Sequence, residues 1–355
     1  MFLINKLRGE KNNSKIIAQL AGVSRSTVSR VINNYSDISP ETKEKVLKVI
    51  EENGYYPNLS AKKLAGKKSG IIGLFVYTGK SSTNEKNYKK ISESLYYSEL
   101  ISKIIDAAEN LGYLVLVSYI NKKGTTWEKI FANGIIDGAL VISGGKKFKE
   151  IENLINSKNK IVLLDYEKNV SNTTVSAINP NHFEGGYKAT QYLIENGHRN
   201  ILHLTGEIKR KTSIKRARGY LKCLKDNKIE KQKIISGKFT QESSYKIIDE
   251  YIKKNKEFDY TAIFAGNDYI ALGAMRALSK HGIKVPQKVS IIGYDNMELC
   301  EYTTPKITSV NHLDDFIAEK ALIKLMNILK GEHGVVENTE IRVIERGSVL
   351  NIKTK

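Results

Sequence analysis

The chain has 355 residues, 57 Lys and Arg against 38 Asp and Glu, a formal charge of +19 and a mean hydropathy of −0.35. Such a length exceeds one typical domain and allows a large core, while the charge favours a polyanionic partner. The first 69 residues hold 13 basic and 6 acidic residues, so +7 lies there and +12 lies elsewhere, much of it readable as solvated surface.

Residues 1–13 form an extension without a signature, too charged and too short of apolar length for a signal peptide, and no later stretch could span a membrane. A cytoplasmic protein is expected. Residues 15–33 carry the parts of a helix-turn-helix. Ile16, Ile17 and Leu20 give a first helix an apolar stripe, Gly22 frees the turn, and Ser24 can cap a second helix. In that second helix Val28, Val31 and Ile32 share the buried face. The hydrogen-bonding side chains Ser24, Arg25, Ser26, Thr27, Ser29 and Arg30, with Asn33 at the end, are left to meet DNA, as a recognition helix does in the major groove. An ordinary surface helical hairpin is the plainer reading of the same residues. Ser39-Pro40-Glu41 starts a third helix whose stripe runs through Val46, Val49 and Ile50 to Gly54. Residues 58–66 then form a two-turn helix between Asn58 and Gly66, marginal in water without a partner.

These motifs, AGVSRSTVSRVIN, SPETKEKVLKVIEENGY and PNLSAKKLAG, together with the C-terminal VPQKVSIIGYDN and PKITSVNH, resemble the LacI/GalR family of bacterial transcription regulators. The resemblance runs from about residue 14 to the end. It implies a three-helix DNA-binding domain over 1–57 and a hinge over 58–69, followed by a two-lobed domain similar to periplasmic sugar-binding proteins. It also implies a homodimer on palindromic double-stranded operator DNA, with Asn58, Lys62 and Leu64 of the hinge at the minor groove and Leu64 as the wedge between base steps. Where the family opens its first helix with a Thr cap and an acidic residue, this chain has Asn13-Ser14-Lys15-Ile16-Ile17.

From residue 69 the pattern becomes α/β. Apolar runs at 71–76, 114–120, 137–142, 160–164, 200–204, 261–264 and 289–292 alternate with helical spacing at 99–111, 184–196, 269–281 and 314–329. Continuous apolar strands separated by helices predict parallel sheets covered on both faces. The segment 175–179 reads as a crossover, and the family adds another at 305–313. The lobes are therefore expected over 70–178 with 313–340, and over 179–312 with 341–355.

Ligands of open parallel sheets gather beyond the carboxyl ends of the strands. Tyr77, Asp165, Asn267 and Asp295 follow such ends, Arg216 offers a fork of donors, and Phe239 an apolar wall, a set suited to sugar hydroxyls. The resemblance places Arg216, Phe239, Asn267, Asp295 and His312 at the family's effector contacts, with His312 where glutamine is common. Arg210 and Thr212 align with effector contacts of the purine-repressor branch, although Arg210 also reads as a solvated loop charge. Asn267 and Asp268 are equally suited to capping the helix that follows.

No HExxH or comparable metal spacing, no GxSxG elbow and no phosphate loop is present, since Ala61 and Lys68 stand where that loop needs Gly and Ser or Thr. The cysteines, Cys223 and Cys300, read as reduced, buried or half-buried thiols. Together with the LacI/GalR resemblance, this leads to the expectation of a non-enzymatic repressor of carbohydrate-utilisation genes, needing no cofactor or metal and relieved by a small sugar-like effector. Alternatives are a corepressor-dependent regulator answering a phosphocarrier protein and a sugar-processing enzyme.

Overall fold

The computed structural model describes residues 13–32, 35–55, 68–77, 95–120, 126–143, 149–166, 174–313 and 316–353. It divides into two compact units, 1–69 and 70–355.

In the first unit α1 (Ser14–Ala21), α2 (Arg25–Ile32) and α3 (Pro40–Glu52) surround Ile17, Ala18, Ala21, Val28, Val31 and Val46. Asn13 caps α1, its side-chain oxygen accepting from the backbone N–H groups of Lys15 (2.9 Å) and Ile16 (3.2 Å). Gly22 takes φ +62°, the left-handed conformation that ends α1 without the strain a side chain would bring. Ser39 caps α3, and Pro40 opens its first turn. One expectation fails. Leu20 is 43% exposed, because Ala18 and Ala21 bring α1 against its neighbours and place residue 20 on the outer side.

The second unit contains two six-stranded sheets. In the N-terminal lobe β1 (Ile71–Tyr77), α4 (Leu95–Asn110), β2 (Leu114–Ile120), α5 (Thr126–Ala132), β3 (Gly138–Ile142), α6 (Lys149–Asn156), β4 (Ile161–Leu164) and β5 (Val175–Pro180) precede the first crossing. The C-terminal lobe follows with α7 (His182–Glu195), β6 (Ile201–Thr205), α8 (Lys211–Asp226), β7 (Lys233–Ser236), α9 (Gln241–Asn255), β8 (Ala262–Ala265), α10 (Asp268–Lys280), β9 (Ser290–Tyr294) and β10 (Thr308–Asn311). The chain then returns through α11 (Ile317–Leu329) and β11 (Val336–Thr339) and ends past β12 (Arg342–Ile344).

Strand orders are β11-β5-β4-β3-β1-β2 and β12-β10-β9-β8-β6-β7, parallel except where β12 runs antiparallel to β10. The register pairs Leu74 with both Val117 and Leu140, and Phe264 with both His203 and Ile292. Segment 175–179 is itself a strand, with the crossing just after Pro180. Further crossings fall at His312 and at Glu340–Ile341, between β10 and α11 and between β11 and β12.

Strand parity sorts the N-terminal lobe's core. Ile72, Leu74 and Val76 face α4 and α11, whereas Phe75 and Tyr77 face Ile120, Trp127, Ile151 and Leu154 on the other side. In the C-terminal lobe α7 and α8 cross closely. An added Cβ at Gly186 would stand 2.1 Å from the Arg216 carbonyl oxygen, and one at Gly219 the same distance from that of Phe183. Only glycine allows the two backbones to meet this way.

Candidate functional site

The second helix of the N-terminal unit exposes Ser24, Arg25, Ser26, Ser29 and Arg30, with Thr27 half-buried. Ser24 Oγ accepts from the Thr27 N–H (3.0 Å) and lies 2.6 Å and 2.8 Å from the hydroxyls of Ser26 and Thr27, a cluster of adaptable donors and acceptors at the helix start. Arg25 Nε donates to Ser14 Oγ (3.2 Å), which fixes its stem against the start of α1. Arg30 pairs with Asp37 and lies 5.6 Å from the Tyr35 ring centroid; both members of the ion pair are about half exposed, so it contributes little stability. Neither α1 nor α2 carries an acidic residue in its first turn, which leaves two positive helix ends available to phosphate. Asn33, Asn58, Lys62 and Leu64 lie outside the described residues.

Four of the effector candidates converge where the two sheets' carboxyl ends meet. Arg216 on α8 is 5% exposed. Its Nη1 donates to the Gly266 carbonyl, its Nη2 lies 3.6 Å from Asp295 Oδ1, and its guanidinium carbon sits 3.7 Å above the Tyr294 ring. His312, at a crossing, places Nδ1 3.6 Å from the same Asp295 oxygen and Nε2 3.4 Å from the hydroxyl of Tyr96 on α4. Asp165, just after β4, completes the group through a residue the sequence reading missed. His182, at the first crossing, lies 3.3 Å from Asp165 Oδ1 through Nε2, and 3.1 Å from the Tyr294 hydroxyl and 3.4 Å from Arg216 Nη2 through Nδ1. Since Arg216 can only donate, Nδ1 must accept and Nε2 carries the proton toward Asp165.

Burial sets the charges. It pushes Asp165 up to about 7 against the opposing pull of Arg216 and Lys215, and it raises Asp295, again against Arg216. Burial, then the Arg216 charge, holds His182 well below the usual imidazole range; for His312 the causes are burial, His182 and Arg216. Both imidazoles are therefore neutral and able to donate and accept. Backbone strain marks the same place. Asp165 has φ +58° and Asp295 φ +106°, held by the Asp295 N–H to Val310 O (2.9 Å) and the Asn296 N–H to Ser309 Oγ (3.1 Å). Beside the cluster a cavity of about 190 Å³ is lined by Tyr96, Leu100, Asp295, Asn311 and Leu313 among others.

The remaining candidates are engaged in other contacts. Tyr77 belongs to the core around Trp127, because its strand parity turns it to that face. Asn267 caps α10, accepting from the Ile270 N–H (2.9 Å). Asp268 also serves structure, accepting from the Met297 N–H (2.8 Å) and the Ser309 hydroxyl (2.6 Å). Phe239 packs over Gly206, its ring 5.0 Å from the guanidinium carbon of Arg210. Among the described residues no group of three or more His, Cys, Asp or Glu side chains is placed to hold a metal ion. Cys223 and Cys300 are free and buried.

A helix-turn-helix head joined to a two-lobed α/β domain with a polar cluster between its sheets defines a ligand-responsive DNA-binding regulator. Residues 15–58 match the lacI family of bacterial regulatory proteins, and 190–349 match the periplasmic binding protein-like domain. The HTH-type transcriptional repressor PurR of Edwardsiella ictaluri is 32% identical over 95% of this chain and 96% of its own length. That of Serratia proteamaculans is 33% identical over the same shares. Among solved structures, the lac repressor dimer bound to operator and the anti-inducer ONPF superposes with a TM-score of 0.78 at 25% identity, over 96% of this chain and 100% of that one. The transcriptional regulator CelR in complex with cellobiose gives 0.65 at 27%, over 95% and 100%. The chain belongs to the LacI family, and it is a transcriptional repressor with separate DNA-binding and effector-binding domains. These relatives are transcriptional repressors.

Proposed function

We propose that the protein binds a palindromic operator as a homodimer in the cytoplasm, reads it with Arg25, Ser26, Ser29 and Arg30, and releases it on binding a small polyhydroxylated effector, as a repressor of carbohydrate-utilisation genes. The observation that carries the effector reading is the cluster of Arg216, Asp295, Asp165, His182 and His312. It pairs a fixed cation and two carboxyls with two neutral imidazoles, and each sugar hydroxyl needs one donor and one acceptor. The CelR–cellobiose likeness supports the ligand class, and the operator-bound lac repressor dimer supports the assembly. Tyr96 stacks on His312 with ring centroids 5.9 Å apart, so the ligand reaches the cluster as these rings part.

The test is titration of labelled operator with the full chain, with and without ligands that raise its melting temperature in a screen of sugars, sugar acids and purine bases. A sugar that raises the melting temperature and releases DNA supports the reading. A ligand that tightens operator binding reverses the sign, and a purine base that alone shifts the protein replaces the ligand class.

A further inference from the structure

From the last residue of β6 into the first turn of α8, residues 205–213 read TGEIKRKTS. Its three consecutive cations, Lys209, Arg210 and Lys211, stand at the positive end of a 16-residue helix with no acidic residue in its first turn. Arg210 occupies the cap position and offers no acceptor, so no side chain caps the helix there. An independent observation points to the same spot. Ser213, fully buried in that first turn, has no hydrogen-bond partner for its hydroxyl, and helical side chains tilt toward the N-terminus. At the end of β6 the buried Thr205 hydroxyl is also without a partner, and one turn along α8 so is Arg216 Nε.

Arg210 stands at the cap, and Ser213 and Arg216 follow as neighbours three apart on the helix. The Arg210 charge also acts on Tyr97 of α4 in the other lobe. Glu207 now holds the Arg210 guanidinium at 2.9 Å, and Phe239 lies against its other side. In the free protein the Arg210 guanidinium is held by this local carboxylate, which a phosphate dianion would have to displace.

We propose that the effector carries a phosphate group, seated on the first turn of α8 between Arg210 and the Ser213 hydroxyl, while its polyol end meets Asp165, Asp295 and His312. The proposal rests on the effector pocket described above and narrows its ligand to a phosphorylated sugar. Arg210 and Arg216 are about 9 Å apart along the helix axis, a span comparable to a hexose with phosphate on its far carbon.

The test is calorimetric titration of the full chain with inorganic phosphate, a panel of free hexoses, and the corresponding hexose phosphates, repeated on Arg210→Gln, Ser213→Ala and Asp295→Asn. Inorganic phosphate is expected to bind at millimolar concentration and at least one hexose phosphate more tightly than its parent sugar. Arg210→Gln and Ser213→Ala should each weaken the ester about tenfold or more. Ser213→Ala should do so without lowering the melting temperature of the free protein, because its hydroxyl has no partner to lose.

No binding of inorganic phosphate by the wild type, or equal affinity for ester and sugar, overturns the phosphate seat. If a free sugar binds and is weakened by Asp295→Asn but not by Arg210→Gln, the pocket stands and the phosphate seat falls. Ligand binding insensitive to Asp295→Asn removes the pocket itself.

Discussion

Replacing Asp165 by asparagine should make the free protein more stable at pH 8 and leave it unchanged at pH 4. In the folded chain burial moves this carboxyl from its ordinary 3.8 to about 7. Between those values the folded protein holds a proton the unfolded chain has lost, so stability falls as pH rises from about 4 to about 7 and levels above it. Three pK units at 1.36 kcal/mol each set a ceiling of about 4 kcal/mol. The side chain keeps 16% of its surface exposed, and water at that edge reduces the gain to about 1–2 kcal/mol. Asparagine tolerates φ +58° and can still accept from His182 Nε2, so nothing else need change. For a domain of this size the gain is about 2–3 °C in melting temperature, read by thermal denaturation of both proteins at the two pH values. An equal gain at both, or a loss at pH 8, would refute the argument that the buried Asp165 carboxylate weakens this cleft.

Arg25→Ala should cost about 1–3 kcal/mol of operator affinity and change the sequences selected from a randomised DNA pool; an unaltered selection removes α2 as the reading helix. Asp295→Ala should leave operator binding intact and abolish its response to effector, giving a permanently repressing protein; release at the wild-type effector concentration shows the contact lies elsewhere. In Gly186→Ala the new methyl would meet the Arg216 carbonyl at 2.1 Å and push α7 from α8, costing about 1–3 kcal/mol and weakening effector binding. Unaltered melting and effector affinity would show that this crossing has room to give.

The sequence announces whatever depends on local pattern. Ser24, Ser39 and Gly22 occupy the expected caps and turn, and long apolar runs such as 71–76 and 114–120 are strands. Short strands with polar residues, such as β10 (TSVN) and β11 (VENT), have no such run and are recruited by pairing with β9 and β5. Leu20 was misplaced because alanines, not the largest apolar side chain, make the close helix contact. The parity of β1, with Phe75 and Tyr77 on one face, carries the information that Tyr77 joins the core. His182 left no comparable trace. It joins Asp165, Arg216 and Tyr294 only because two lobes meet at the first crossing, and nothing within its own helix reports that.

The glycine contact between α7 and α8 makes a mechanical coupling out of a packing detail. Because a Cβ at Gly186 would overlap the Arg216 carbonyl, α7 and α8 meet backbone to backbone, and a displacement of one would be passed directly to the other. The near end of α7 is the peptide between Pro180 and His182, where the chain passes from one sheet to the other. On the proposed effector reading, a shift of α8 at Arg216 would reach the crossing between the two sheets through backbone contact.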